Sequence, residues 1–219
     1  MVNREQIIQN TLERKVITII RGMEGDVCLR IAEAVIKGGL NMVEVTFNQS
    51  KPETFETTCR AIAGIKQEFG GEVLVGAGTV ISPKLVEMAA EAGAGYIISP
   101  DTSVEVIKRT RELGMVSMPG AMTPTDIMTA WNAGADFVKL FPAGDLGLGY
   151  FKSVRAPLSH IPLLAVGAIG ENNIRDFMKA GAKAFGIGSN IVKKDWVANG
   201  EFDKIAELAR RYKELVQED

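Results

Sequence analysis

The sequence predicts an α/β protein, a single (β/α)8 TIM barrel over residues 1–219 with an extra N-terminal helix. Three observations carry that expectation. Apolar strand-like runs alternate with amphipathic stretches eight times. The phrase Ala-Gly-Ala recurs at 92–94, 133–135 and 180–182, with Gly38-Gly39-Leu40 as a looser copy. The strand-like runs are apolar almost throughout, as strands of a parallel sheet are when helices cover it. An open doubly wound sheet is the competing architecture, but it has about five to seven strands more often than eight. No GxGxxG follows the first strand either.

Along the chain, REQIIQNTLERK (4–15) reads as a polar helix covering one barrel end. The strands follow as VITIIR (16–21), MVEVTF (42–47), VLVGAG (73–78), YIIS (96–99), VSMPG (116–120), FVKLF (137–141), LLAVGA (163–168) and AFGIG (184–188). The intervening segments, such as 27–39, 54–70, 83–93, 104–114, 125–134 and 173–181, place apolar residues at i, i+3, i+4 and i+7. Ser82 before Pro83, Thr123 before Pro124 and the Asn172-Asn173 pair suit helix starts. The Ala-Gly-Ala glycines suit left-handed C-caps leading into strands. FDKIAELARRYKELV (202–216) is expected to cover a barrel end as well.

Composition narrows the function. With 25 basic and 27 acidic residues the formal charge is −2, so no general field attracts nucleic acid or an anionic membrane, and an anion must be bound locally. Cys28 and Cys59 lie in helical patterns without CxxC spacing, as packing thiols of a reduced cytoplasm do. No run approaches the ~18 apolar residues of a membrane span, and the first fifteen residues lack a signal-peptide core. A soluble, cytoplasmic chain is expected. His160 is the single histidine, so a zinc site has too few ligands, and no GxSxG marks a serine hydrolase. A magnesium site built on Glu44 and Asp101 has nothing in its favour. No metal or other cofactor is expected.

In such a barrel the chemistry sits at the C-terminal ends of the strands. Polar residues there are few: Arg21, Glu44, Thr46, Asn48, Thr79, Ser99 and Lys139. Strand alternation puts Phe137, Lys139 and Phe141 on one face, and Val138 and Leu140 on the other. If Val138 and Leu140 pack under the helices, Lys139 points into the barrel. Glu44 is its candidate neighbour, because the second and sixth strands face each other across an eight-stranded ring. Two readings stand. The pair is a buried ion pair that only holds the core together, or a lysine kept partly neutral attacks carbonyls while the glutamate shuttles protons. The loops AVGAIGENN (165–173) and GIGSN (186–190), with Gly167, Ala168, Gly188 and Ser189, serve tight turns or expose N–H groups to phosphate after the last two strands.

VEVTFN (43–48), VGAGTV (75–80), YIISP (96–100), MPGAMTPTD (118–126), FVKLFPA (137–143) and the two glycine loops carry a resemblance. In order and spacing, from about residue 5 to about residue 215, the chain resembles the bacterial 2-keto-3-deoxy-6-phosphogluconate aldolases, also called 4-hydroxy-2-oxoglutarate aldolases. The resemblance implies a trimeric (β/α)8 barrel and a metal-free class I aldolase. It would cleave the phosphogluconate reversibly to pyruvate and glyceraldehyde 3-phosphate, or 4-hydroxy-2-oxoglutarate to pyruvate and glyoxylate. By motif, Lys139 is implied as the Schiff-base residue and Glu44 as the general acid/base. Thr79, Arg21, Pro100, Asn48 and Phe141 become substrate-binding positions, and Gly167, Ala168, Gly188 and Ser189 the phosphate cradle.

Two positions depart from the pattern. Asn48 stands where the gluconate enzymes usually have an arginine, and is similar to the related 2-keto-3-deoxy-6-phosphogalactonate aldolases, leaving Arg21 to hold the carboxylate. Gly167-Ala168 replaces Gly-Gly in the phosphate loop. The rival classes are a sugar-phosphate isomerase or epimerase without covalent catalysis, and a non-catalytic sensor of a phosphorylated acid.

Overall fold

The structure is a computed structural model that describes residues 3–23 and 25–217. Its strands are β1 (Val16–Ile20), β2 (Met42–Thr46), β3 (Leu74–Gly78), β4 (Tyr96–Ile98), β5 (Val116–Met118), β6 (Gly120–Ala121), β7 (Val138–Leu140), β8 (Leu163–Val166) and β9 (Ala184–Ile187). The helices are α1 (Arg4–Arg14), α2 (Asp26–Lys37), α3 (Phe55–Phe69), α4 (Pro83–Glu91), α5 (Val104–Glu112), α6 (Pro124–Asn132), α7 (Ala143–Arg155), α8 (Ile174–Lys179), α9 (Lys194–Ala198) and α10 (Phe202–Gln217). All strand pairs are parallel, in the order β5-β4-β3-β2-β1-β9-β8-β7-β6.

The expected fifth strand is divided. Pro119 has no N–H to give to a ladder, so β5 and β6 form on either side of it. β5 pairs with β4 and β6 with β7, which makes this one segment the seam of the ring. The seam is bonded: Phe137 N–H donates to Ser117 O at 3.3 Å and Lys139 N–H to Pro119 O at 2.8 Å. Eight strand positions therefore surround the barrel, as alternation in the sequence predicts.

Each strand divides its side chains by parity. Ile17, Met42, Leu74, Tyr96, Phe137 and Leu164 fill the inside, whereas Val16, Val43, Val75, Val138 and Leu163 pack under the helices. Ile7 of α1 is buried in the inner cluster, with Ile8 and Leu12 packed against it. Burying a side chain like Ile7 contributes about 1.5–3 kcal/mol, and here it closes the N-terminal end of the ring. The expectation for residues 202–216 is corrected: α10 packs against α2 and α8 beside β1, in the outer helical ring rather than over an end.

Local signals behave as expected in most places. Gly93, Gly134 and Gly181 lie at φ +91°, +101° and +99°, the left-handed turn from each helix into the next strand. Ser82 accepts from Leu85 N–H, and Thr123 forms a capping box with Asp126. Asn173 precedes α8 without capping it; its side chain reaches back into the preceding loop.

Candidate active site

Lys139 points into the barrel. It is 5% exposed, and its neighbours Val138 and Leu140 belong to the outer layer. Below it Phe137 is buried in the inner cluster; above it Phe141 opens to solvent, its ring centre 4.8 Å from Nζ. Glu44 is 1% exposed on the inner face of β2. Both groups are uncommon in a closed core, and both sit within the C-terminal half of the ring.

The direct ion pair expected as the bland alternative is not formed among the described residues. Glu44 Oε2 is buried without a hydrogen-bond partner, and the two groups influence each other only through space. Burial pushes Lys139 below the ordinary lysine range; the Glu44 charge works against that shift and Arg21 adds to it. Burial likewise pushes Glu44 above the ordinary carboxyl range, with Lys139 and Arg21 pulling it down. Such a pair combines an amine that gives up its proton more readily than an ordinary lysine and a carboxyl that holds one more tightly than an ordinary glutamate. An amine of that kind adds to carbonyls, and a carboxyl of that kind transfers protons.

Strand β3 makes room for this arrangement. Gly76 and Gly78 both face inward, beside Tyr96 and Glu44. A Cβ on Gly78 would lie 1.7 Å from Glu44 Oε1, and one on Gly76 would lie 2.2 Å from the Tyr96 ring. The carboxylate therefore occupies the space of one missing side chain and the tyrosine that of the other. Tyr96 donates to Val43 O at 2.5 Å, which seals the floor beneath Glu44. Sequence reasoning missed this division of labour, although GAG with glycines two apart on one strand is its visible signal.

The other positions ring the mouth. Arg21 is exposed just after β1, and its charge reaches both Glu44 and Lys139. Thr79 follows β3 at φ +57°, its carbonyl accepting from the Gln49 carboxamide at 2.7 Å. Asn48 Oδ1 accepts from Ser50 N–H and hydroxyl at 3.1 and 2.7 Å. Pro100 is exposed after β4. Gly167 and Ala168 follow β8 at φ +90° and +51°, with Gly188 and the exposed Ser189 after the adjacent β9. Non-glycine residues held in the left-handed region cost about 1–3 kcal/mol each, and such strain concentrates where a site needs it. Elsewhere, His160 is exposed with its ring edge-on to Trp131, 6.3 Å between centres. Burial and nearby glutamates push the Cys59 thiol up to about 11, away from nucleophilic use.

The chain is similar to known proteins over nearly its whole length. Residues 7–208 match the family model described as KDPG and KHG aldolase. The chain is 34% identical over 202 residues to the 2-dehydro-3-deoxy-6-phosphogalactonate aldolase of Escherichia coli K12, covering 92% of this chain and 96% of that one. It is 28% identical over 214 residues to the 2-dehydro-3-deoxy-phosphogluconate aldolase of Haemophilus influenzae, covering 97% and 98%. The Legionella pneumophila KDPG aldolase, solved with pyruvate captured as a covalent carbinolamine, superimposes with a TM-score of 0.82 at 25% identity over 94% of this chain and 95% of that one. With a buried lysine and glutamate in the barrel and a family match across nearly its whole length, the chain belongs to the KDPG and KHG aldolase family.

Proposed function

We propose that the chain is a class I aldolase releasing pyruvate from a 6-phosphorylated 2-keto-3-deoxy sugar acid, with Lys139 as the covalent residue. The observation that carries this is the amine of Lys139, inside the barrel, drawn toward neutrality and without a carboxylate bonded to it. Neutral Nζ adds to the C2 ketone to give a carbinolamine. Glu44 protonates the departing hydroxyl, and water and a protonated imine form. Ionised Glu44 then takes the C4 hydroxyl proton as the C3–C4 bond breaks. The bond's electron pair passes into the imine, leaving an enamine and an aldehyde. Protonation of the enamine at C3 and hydrolysis release pyruvate and restore the amine.

The remaining positions serve binding. Arg21 offers the substrate carboxylate two parallel hydrogen bonds, with Asn48, Thr79, Pro100 and Phe141 lining the approach. Gly167, Ala168, Gly188 and Ser189 cradle the phosphate. Asn48 and the Escherichia coli relative both favour the galactonate configuration over the gluconate one. The Haemophilus influenzae relative keeps the gluconate as the second reading. No metal or other cofactor enters any step. The phosphorylated substrate accords with a cytoplasmic enzyme. Ile81, Met122 and Phe141, exposed on loops at the mouth, and Val104 at the start of α5 support self-association, and the family resemblance makes a homotrimer the assembly we assign. Light scattering that returns a monomer would remove that assignment.

Borohydride added with pyruvate should leave one reduced pyruvyl adduct, located on Lys139 by peptide mass. Lys139→Met should abolish both adduct and turnover. An unmodified wild-type protein, or a Met variant that still turns over, would overturn the covalent reading. Pyruvate release compared across the galactonate, gluconate and hydroxyglutarate substrates decides the specificity: equal kcat/KM for the two sugar acids would remove the galactonate preference.

A further inference from the structure

The loop after β8 has its carbonyls bound to protein donors one after another. Gly167 O accepts from Gly144 N–H at 2.8 Å, and Ala168 O from Asn173 Nδ2 at 3.0 Å. Ile169 O accepts from Asn190 Nδ2 at 2.7 Å, and Gly170 O from Asn173 and Ile174 N–H at 3.2 and 3.0 Å. A trans peptide points its N–H opposite its carbonyl. Turning the Gly167 and Ala168 carbonyls toward the protein therefore turns the N–H groups of Ala168 and Ile169 away from those donors. These two N–H groups meet no acceptor among the described residues, and neither does that of Ser189. Its preceding carbonyl, on Gly188, is likewise taken, by Ile191 and Val192 N–H at 2.9 Å.

Two carboxamides from different loops hold this arrangement together. Asn173 grips the loop twice, donating to Ala168 O and accepting from Gly170 N–H at 2.9 Å. Asn190 comes from the loop after β9 and joins the two halves of the cradle through Ile169 O. Ala168 lies at φ +51°, a conformation an alanine leaves unless something fixes it. The Asn173 amide supplies that fixing force.

We propose that Asn173 and Asn190 are positioning residues that aim the N–H groups of Ala168 and Ile169 at the anionic end of the substrate, without touching it themselves. This rests on reading the loops as a phosphate cradle. The effect should therefore depend on the phosphate group rather than on the bond being broken. The test measures kcat and KM of wild type, Asn173→Ala and Asn190→Ala with the phosphorylated sugar acids and with 4-hydroxy-2-oxoglutarate. Competition by inorganic phosphate and borohydride trapping with pyruvate alone are followed in parallel.

Loss of one fixed donor should raise KM for the phosphorylated substrate about tenfold, with kcat changed far less. The inhibition constant of inorganic phosphate should rise in step. Pyruvate trapping, which needs a folded barrel but no phosphate, should persist. Discrimination between phosphorylated and unphosphorylated substrates equal to wild type in both variants would overturn the positioning role, as would a parallel loss on all substrates. If wild type itself ignores the phosphate group and inorganic phosphate, the cradle reading fails first, and the positioning role falls with it.

Discussion

The two ends of the barrel treat their buried acidic side chains in opposite ways. At the N-terminal end Asp136 is almost fully buried, and every demand it makes is met. It pairs with Arg4 of α1 and with Arg111 of α5 at 3.2 Å, and it accepts from Ser117 N–H at 2.9 Å. Beneath it Ile7 and Leu12 close the ring. At the C-terminal end, among the described residues, Glu44 Oε2 has no partner and Lys139 no bonded carboxylate, and Thr79 and Ala168 sit in the left-handed region. Satisfied groups hold structure, and groups left wanting are available to a substrate. One segment holds both roles two residues apart, since Phe137, just before β7, plugs the core and Lys139 opens it to chemistry.

The sharpest way to break the contrast is at β3, where one methyl group would reach the unsatisfied end. Gly78→Ala places a Cβ where Glu44 Oε1 now lies, so the carboxylate must move. Turnover should fall by roughly 10²–10⁴-fold, the usual loss when a proton-transfer group is misplaced. The pyruvate adduct should still form under borohydride, because Lys139 is untouched. Gly76→Ala provides the contrast, since its methyl meets the Tyr96 ring instead and should destabilise by about 1–3 kcal/mol through overpacking. Equal losses of turnover in the two variants, measured per folded molecule, would mean that the glycines do not divide the work.

At the satisfied end the expected effect is on stability alone. Asp136→Ala strands Ser117 N–H and leaves Arg4 and Arg111, both about one-third exposed, without their shared carboxylate. The loss should be about 2 kcal/mol, or roughly 4–8 °C in Tm for a domain of this size. Activity of the folded enzyme at low temperature should be that of wild type. A fall in kcat with an unchanged Tm would mean that the lower end reaches the chemistry after all.

The sequence exposes one side of this contrast much better than the other. Parity along FVKLF is enough to turn Lys139 inward, because a strand's period is set by backbone geometry and Val138 and Leu140 can face only the helices. The strand count and the turns at Gly93, Gly134 and Gly181 are legible for the same local reason. What stayed hidden depends on distances between segments far apart in the chain. Parity cannot say whether Glu44 bonds to Lys139 or stands apart from it. Nor does it show that Tyr96 fills the space of Gly76, or that Asn173 reaches back to Ala168 instead of capping α8. The strand expected over 116–120 runs through Pro119; that it breaks there, and that the barrel seam falls there, is a property of the closed ring. For α10 the amphipathic pattern shows that one face is buried without saying against what, and the outer ring claimed it.

The smallest expected effect joins the two ends, because it asks whether the unsatisfied mouth lowers stability. Lys139→Met keeps most of the side-chain volume and removes the buried amine, so the variant should be more stable near neutral pH by about 1 kcal/mol. Its pH dependence follows from the direction of the shifts. The folded pKa of Lys139 is depressed below 10.5, so its contribution is complete above that ordinary value and is lost as pH falls through the folded one. Glu44 is raised above 4.5; its contribution is complete below that value and is lost as pH rises through the folded one, more so in the methionine variant, which lacks the Lys139 charge that pulls Glu44 down. Only the wild type carries the lysine penalty, so the Tm gap in favour of the methionine variant should widen as pH falls from 10.5 through the folded pKa. A gap that narrows over that range, or a methionine variant that melts first, would mean that the amine is held charged by partners rather than kept near neutrality by burial.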